Sequence, residues 1–322
     1  MSDAWMWHGG GLEAAKRHFG EGDWLDLSTG INPHAWPGAG GLAIDWQRLP
    51  DTHALAQLEA VAAACFGVDA GHVCAVPGTE IGLRLVGTLI GGPARHLVPG
   101  YRTHGEMVPG SCAIGRAEAQ DPAAALILAN PNNPDGRLLG VEPMRRLLAG
   151  CNGWLMVDEA FADVDPAYSV ATAVDDDRKL IVFRSFGKFF GLAGVRLGFV
   201  LPPSSVLAAL RERLGAWPLS AAAIEIGTAA YARAGWVAAT RRHLPKEAHR
   251  VGALLRHCGF QVAGACPLFR LIETDDARAL FERLARRAIL TRPFADRPRW
   301  LRIGLPADAK ALARLEAGLA GD

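Results

Sequence analysis

One lysine stands between two apolar, strand-like runs (residues 180–183 and 198–201) in Ser185-Phe186-Gly187-Lys188-Phe189-Phe190-Gly191-Leu192-Ala193-Gly194-Val195-Arg196-Leu197-Gly198. Stability alone does not explain it. Burying an ammonium is costly unless it is paired, and desolvation lowers its pKa towards neutrality. An amine in that state attacks carbonyl carbons and forms Schiff bases. Ser185, three residues before, and Arg196, eight after, suit a phosphate held beside that amine. The competing reading is a surface lysine in a glycine-rich turn.

Other polar residues fall at the ends of apolar runs. Pro77-Gly78-Thr79-Glu80 lies between a strand pattern and a helix pattern, where free N–H groups and the helix dipole attract anions. Taken alone, Gly78-Thr79 is more often an ordinary helix cap. Asn133 and Asp158 each follow a buried strand pattern. A carboxylate there can keep a pyridinium nitrogen protonated, and Tyr101 can stack on such a ring. Capping and core packing are the alternatives. Arg302, inside the apolar run Trp300-Leu301-Arg302-Ile303-Gly304, needs an anionic partner, either a substrate carboxylate or a structural acid. Arg292 is a candidate for the same cleft.

The elements that must position these residues alternate. Helices are expected from about 54 to 66, from 79 to about 90, after 101–104 and from 141 to 149, and strands at 73–76, 96–98, 124–129, 154–157 and 180–183. Such alternation predicts an α/β fold, a large domain with a mostly parallel sheet covered by helices and ligands bound at the strands' C-terminal ends. Beyond residue 203 the pattern becomes helical, over 204–214, 219–234 and 236–257. A strand at 269–272, a helix at 276–287, strands near 289–292 and 300–305 and a helix at 308–319 follow, as in a smaller α+β domain. The expected division is an N-terminal arm over 1–30, a large domain over 31–210 and a small domain over 211–322. Residues 1–52 read as an ordered, non-periodic arm.

Half of the 322 residues are hydrophobic, 21% are charged and the net charge is +1. A sizeable core is expected, and the absence of a basic stripe argues against nucleic acid and for a small-molecule partner. Six dispersed cysteines without a C-x-x-C pair suggest reduced thiols and no zinc site. The first five residues lack the build of a signal peptide, and no apolar run approaches a membrane span, so a cytoplasmic enzyme is expected.

Taken in order, these motifs resemble the fold-type I pyridoxal-phosphate enzymes, over roughly residues 25–305. The series is strand-end Gly-Thr, aromatic, Asn-Pro-x-Gly, Asp-x-Ala-aromatic, Ser-x-x-Lys with Arg eight later, and a late strand arginine. The resemblance implies an aspartate aminotransferase-like fold and pyridoxal 5'-phosphate on Lys188. It implies Asp158 on the ring nitrogen, Asn133 on the ring oxygen and Tyr101 stacked on the ring. Gly78, Thr79, Ser185 and Arg196 would hold the cofactor phosphate, and Arg302 the substrate carboxylate. His8, Gly30, Asn32 and Arg292 are further substrate candidates, and a homodimer is implied.

Within that superfamily the chain is most similar to the branch containing histidinol-phosphate aminotransferase and the threonine-phosphate decarboxylase of cobalamin synthesis. His8-Gly9-Gly10, Leu27-Ser28-Thr29-Gly30-Ile31-Asn32-Pro33 and the lysine run resemble the decarboxylase. Phe161 stands where aminotransferases usually carry a tyrosine on the ring oxygen. The resemblance therefore points to decarboxylation of a phosphorylated amino acid, with histidinol-phosphate-type transamination as the alternative. One departure is Arg48-Leu49-Pro50-Asp51, where relatives commonly have Arg-Tyr-Pro-Asp and the tyrosine reaches the neighbouring subunit's cofactor; His53 is the candidate substitute.

Overall fold

A computed structural model describes Trp5 and residues 8–116 and 124–320. Of the expected N-terminal arm, residues 1–4, 6 and 7 lie outside the described residues. The chain forms two compact units. The larger comprises residues 35–133 and 138–241; the smaller comprises 1–34, 134–137 and 242–322.

The larger unit is built on a seven-stranded sheet. Its strands are β2 (Cys74–Val76), β3 (Ala94–Leu97), β4 (Cys112–Ile114), β5 (Ala125–Ala129), β6 (Leu155–Asp158), β7 (Leu180–Ser185) and β8 (Gly198–Leu201), in the order β2-β8-β7-β6-β5-β3-β4. All pairings are parallel except those of β8, which runs antiparallel to both β2 and β7. Strands β5, β6 and β8 are buried along their whole length, which explains their continuous apolar runs. Successive side chains alternate between faces. Ile127, Met156, Ile181, Phe183 and Val200 share one core with Leu83 and Val86 of α3 (Thr79–Ile90) and Leu207 and Leu210 of α7 (Ser204–Leu214). Asp158 continues the Met156 face, whereas Arg184 of β7 belongs to the other.

That other face carries α2 (Thr52–Phe66) and α8 (Ala221–Tyr231). Tyr231 meets Phe66 and Phe199 edge-on, at 5.5 and 5.6 Å between ring centroids. The sequence placed a boundary at 210. The units divide instead after Arg241, inside α9 (Ala234–His257), because α7 packs on α3 and α8 on α2.

The smaller unit contains a four-stranded sheet, β12 (Arg292–Phe294), β13 (Arg297–Gly304), β10 (Phe269–Glu273) and β9 (Gln261–Ala263), antiparallel throughout. Helices α10 (Ala277–Arg286) and α11 (Ala309–Ala320) pack against each other. The part of the arm before residue 35 belongs to this unit. It forms a helix that sequence reading missed, α1 (Leu12–Phe19), and a short strand β1 (Leu25–Asp26) parallel to β11 (Ile289–Leu290). Strands β4 and β9, three residues each, were also missed. Among the described residues, no helix is long and apolar enough to cross a membrane.

Candidate active site

Strand β7 ends at Ser185 and turns at once into a single helical turn, α6 (Phe186–Phe189). Phe186, Phe189 and Phe190 are buried, so Lys188 is the half-buried side chain on an otherwise buried turn. Phe186 and Phe190 stack at 4.6 Å, and Phe190 stacks on Trp236 at 5.4 Å. Each buried phenylalanine contributes roughly 1.5–3 kcal/mol, enough to hold the turn where it places the lysine. The Lys188 ammonium stands 5.8 Å from the centroid of the buried Phe161 ring, within cation–π range. Gly187 is tightly packed, since a Cβ on it would lie 2.6 Å from the Ala193 Cα, whereas Gly194 is exposed.

Asp158 closes β6 and is 7% exposed. Its Oδ1 accepts from the Ala160 amide at 3.0 Å, and its Oδ2 lies 3.0 Å from Nε2 of the fully buried His104. His104 meets the Tyr101 ring edge-on at 5.7 Å. Tyr101 donates its hydroxyl to Glu80 Oε2 at 3.0 Å, and Thr103 donates to the same carboxylate. Burial, reinforced by the charge of Glu80, pushes the Tyr101 phenol up to about 12, so it remains a donor across neutral pH. Asn133 is half-buried four residues beyond β5, whose Ala129 pairs with Asp158.

Gly78 has φ of +88° and caps the N-terminus of α3. A Cβ there would lie 2.7 Å from Arg196 Nη2, so only glycine combines this backbone with so close an arginine. Gly198 is the second required glycine, because a Cβ on it would come within 2.5 Å of the Thr79 nitrogen. Thr79 donates its hydroxyl to the Arg184 carbonyl at 2.9 Å, fixing the start of α3 beside β7. Ser185 pairs with Gly198 across β7 and β8. Free N–H groups of a twelve-residue helix, an exposed guanidinium and two hydroxyl residues therefore converge, a combination that binds anions.

The remaining predicted residues gather in the smaller unit. Arg302, 6% exposed on β13, donates from Nη2 to the Ser28 carbonyl at 2.9 Å and lies 5.0 Å over the Phe269 ring. Arg292 is its cross-strand partner. Burial, and then the positive charge of Arg292, pull the Arg302 guanidinium down to about 9. Two adjacent cations in such surroundings favour an anionic ligand. The arm lies on this strand: Gly304 donates to the Leu27 carbonyl at 2.7 Å, and Gly10 donates to Ser28 Oγ at 2.8 Å. That brings His8, exposed, and Gly30, buried, towards the strand. Asn32 is buried and caps a turn by accepting from the His34 amide at 2.9 Å.

His104 and Glu80 escaped sequence reading. A signal existed for His104, since it stands three positions, about one turn, beyond Tyr101, the residue that precedes α4 (Arg102–Glu106). Leu49, 66% exposed, and His53, exposed in the first turn of α2, are in the larger unit.

The aminotransferase class I and II family model matches residues 101–315. The chain belongs to this family. A threonine-phosphate decarboxylase of Sinorhizobium sp. is 40% identical over 97% of this chain and 97% of its own. One from Pseudomonas aeruginosa is 40% identical over 98% and 97%. The solved histidinol-phosphate aminotransferase of Sinorhizobium meliloti, in complex with pyridoxal-5'-phosphate, superimposes with a TM-score of 0.82 over 96% of this chain and 93% of that one, at 21% identity. The family's fold is thus the α/β fold expected from the alternation of strand and helix patterns. Its aspartate aminotransferase-like sheet is the seven-stranded one described above.

Proposed function

We propose that this protein decarboxylates L-threonine O-3-phosphate with pyridoxal 5'-phosphate as cofactor, releasing carbon dioxide and (R)-1-amino-2-propanol O-2-phosphate. The observation that carries this reading is 40% identity, along nearly the whole length of both chains, to proteins named threonine-phosphate decarboxylase. The residues fit the cofactor. Gly78 leaves a cradle that a Cβ would fill, at a helix N-terminus beside Arg196, and Asp158 is a buried carboxylate with a histidine behind it. When bound, pyridoxal 5'-phosphate supplies an electron-poor ring that accepts the electron pair released at the substrate's α-carbon.

The chain's own residues do the rest. Lys188 would hold the cofactor through its aldehyde carbon and would supply the proton that the substrate's α-carbon takes up. Asp158 keeps the ring nitrogen protonated, held in orientation by His104. Asn133 would donate to the ring oxygen, Tyr101 would stack on the ring, and Gly78, Thr79, Ser185 and Arg196 would hold the phosphate. Arg302 binds the substrate carboxylate, orienting the bond that breaks, with His8, Gly30, Asn32 and Arg292 as partners for the rest of the substrate. Phe161 offers the ring oxygen no hydroxyl, which favours the decarboxylase reading over transamination.

A second reading, histidinol-phosphate-type transamination, shares the scaffold but breaks the Cα–H bond. A substrate comparison tests the choice. Cofactor-loaded protein is offered histidinol phosphate with 2-oxoglutarate, and separately L-threonine O-3-phosphate, with products followed by NMR. Aminopropanol phosphate is expected only from the second mixture, and glutamate from the first would overturn the proposal. A homodimer and a cytoplasmic location belong to the same reading, and sedimentation of the purified protein tests the dimer.

A further inference from the structure

The face of the seven-stranded sheet turned away from Asp158 carries a buried ionic cluster. Arg184, 1% exposed, donates from Nη1 to Glu159 Oε2 at 2.8 Å and from Nη2 to Asp163 Oδ1. Both acids are buried, Glu159 completely and Asp163 to 2% exposure. Ser169 donates to Glu159 Oε2 at 2.5 Å, and the Val170 amide donates to Oε1 at 2.7 Å. Arg241 donates to the Asp163 carbonyl at 2.8 Å, and the Arg184 guanidinium lies 4.6 Å over the Phe66 ring. Burial pulls the Arg184 pKa down, but Asp163 and Glu159 outweigh it and hold the group above its ordinary value.

A net gain in stability is weak grounds for this construction, because well-packed apolar residues in place of a buried ion cluster are often neutral or stabilising. Its position supplies stronger grounds. Glu159 directly follows Asp158, and Arg184 directly precedes Ser185 in the strand that leads to Lys188. Because neighbouring side chains on a strand point to opposite faces, the cluster grips both strand ends from behind without entering the site. The Glu159 amide also donates to the Phe183 carbonyl at 2.9 Å, and Thr79 donates to the Arg184 carbonyl at 2.9 Å. Three parts of the site therefore meet at one residue: the Asp158 strand end, the Lys188 strand end and the start of α3.

We infer that Arg184 is a positioning residue. Its two-armed bond to Glu159 and Asp163 sets the separation of Asp158 from Lys188, and its carbonyl sets the α3 N-terminus against both. The inference rests on the proposed cofactor site. Placement errors of about 1 Å can cost on the order of 100-fold in rate, so a fixed separation has catalytic value even where it adds no stability.

The test uses the holoenzyme and a variant that removes the charges together, Arg184→Met/Glu159→Gln/Asp163→Asn, so that no buried ion is left unpaired. Three readouts are taken: the melting temperature, the pH midpoint of the lysine-linked pyridoxal 5'-phosphate absorption band, and kcat and KM for L-threonine O-3-phosphate. The inference predicts a melting temperature near that of the wild type, kcat lower by about tenfold or more with KM within about twofold, and a moved midpoint. A merely structural cluster changes how much protein folds, not the titration of the folded holoenzyme. A folded triple variant with wild-type kcat and midpoint overturns the inference. If the triple variant does not fold, Arg184→Lys decides by the same readouts, since it keeps the charge and loses the fork. The wild type is titrated first: absence of a lysine-linked band there overturns the cofactor reading, and this inference with it. A normal wild-type band beside an unshifted variant overturns this inference alone.

Discussion

Phe161 bears on the choice between decarboxylation and transamination, and Arg302 on the recognition of an anionic substrate. The Phe161 ring lies 5.8 Å from the Lys188 ammonium and offers only a quadrupole. Phe161→Tyr adds a hydroxyl that favours the charged form of the cofactor's ring oxygen, so the pH midpoint of the cofactor band should fall by about one unit. Carbon dioxide release should slow as well. An unmoved midpoint in a folded variant would remove Phe161 from the site. Burial, and then the charge of Arg292, pull the Arg302 guanidinium down, yet a guanidinium keeps its charge in folded proteins. In Arg302→Met, KM for L-threonine O-3-phosphate should rise by about tenfold or more, with a smaller change in kcat. An unchanged KM in a folded variant would remove Arg302 from the substrate site. Lys188 between two apolar runs, Asp158 at the end of one and Arg302 inside one were legible as candidates, because a charge beside or within an apolar run demands a partner. His104 and Glu80 were not legible. Their partners lie 54 and 21 residues away, and only folding joins them.

At the scale of elements, the start of α3 is the most exacting part of the anion site. Gly78 combines φ of +88° with an arginine nitrogen 2.7 Å from the place a Cβ would take. Gly78→Ala therefore pays backbone strain of about 1–3 kcal/mol and displaces Arg196. Affinity for pyridoxal 5'-phosphate, read by fluorescence titration of the unliganded protein, should drop by about tenfold or more. Unchanged affinity would place the cofactor phosphate elsewhere. The long apolar strands and amphipathic helices were legible because period and length agreed. Helix α1 was missed because tryptophan and glycine on both sides disguised an eight-residue pattern. Strands β4 and β9 were missed because three-residue strands with exposed residues carry no period at all.

The molecule divides in a way that no linear reading supplies. The smaller unit is assembled from three separate stretches, and the division crosses α9, a continuous helix. Composition shifts at residue 203, but packing of α7 and α8 keeps the chain in the larger unit for almost 40 residues more. The same wholeness governs stability. Arg184→Ala strands Glu159 and Asp163 as buried charges and should cost about 3–5 kcal/mol, measured by denaturant unfolding. The charge-free triple variant should recover most of that loss, and if it does not, packing rather than charge balance holds this face together.

Decarboxylation is observed most directly by mixing cofactor-loaded protein with L-threonine O-3-phosphate and no keto acid, following carbon dioxide and the cofactor spectrum together. Sustained release over many turnovers, with the aldehyde form of the cofactor retained and release abolished in Lys188→Ala, is the predicted result. No carbon dioxide, with the spectrum passing once to the amine form, would contradict it and make this chain an aminotransferase.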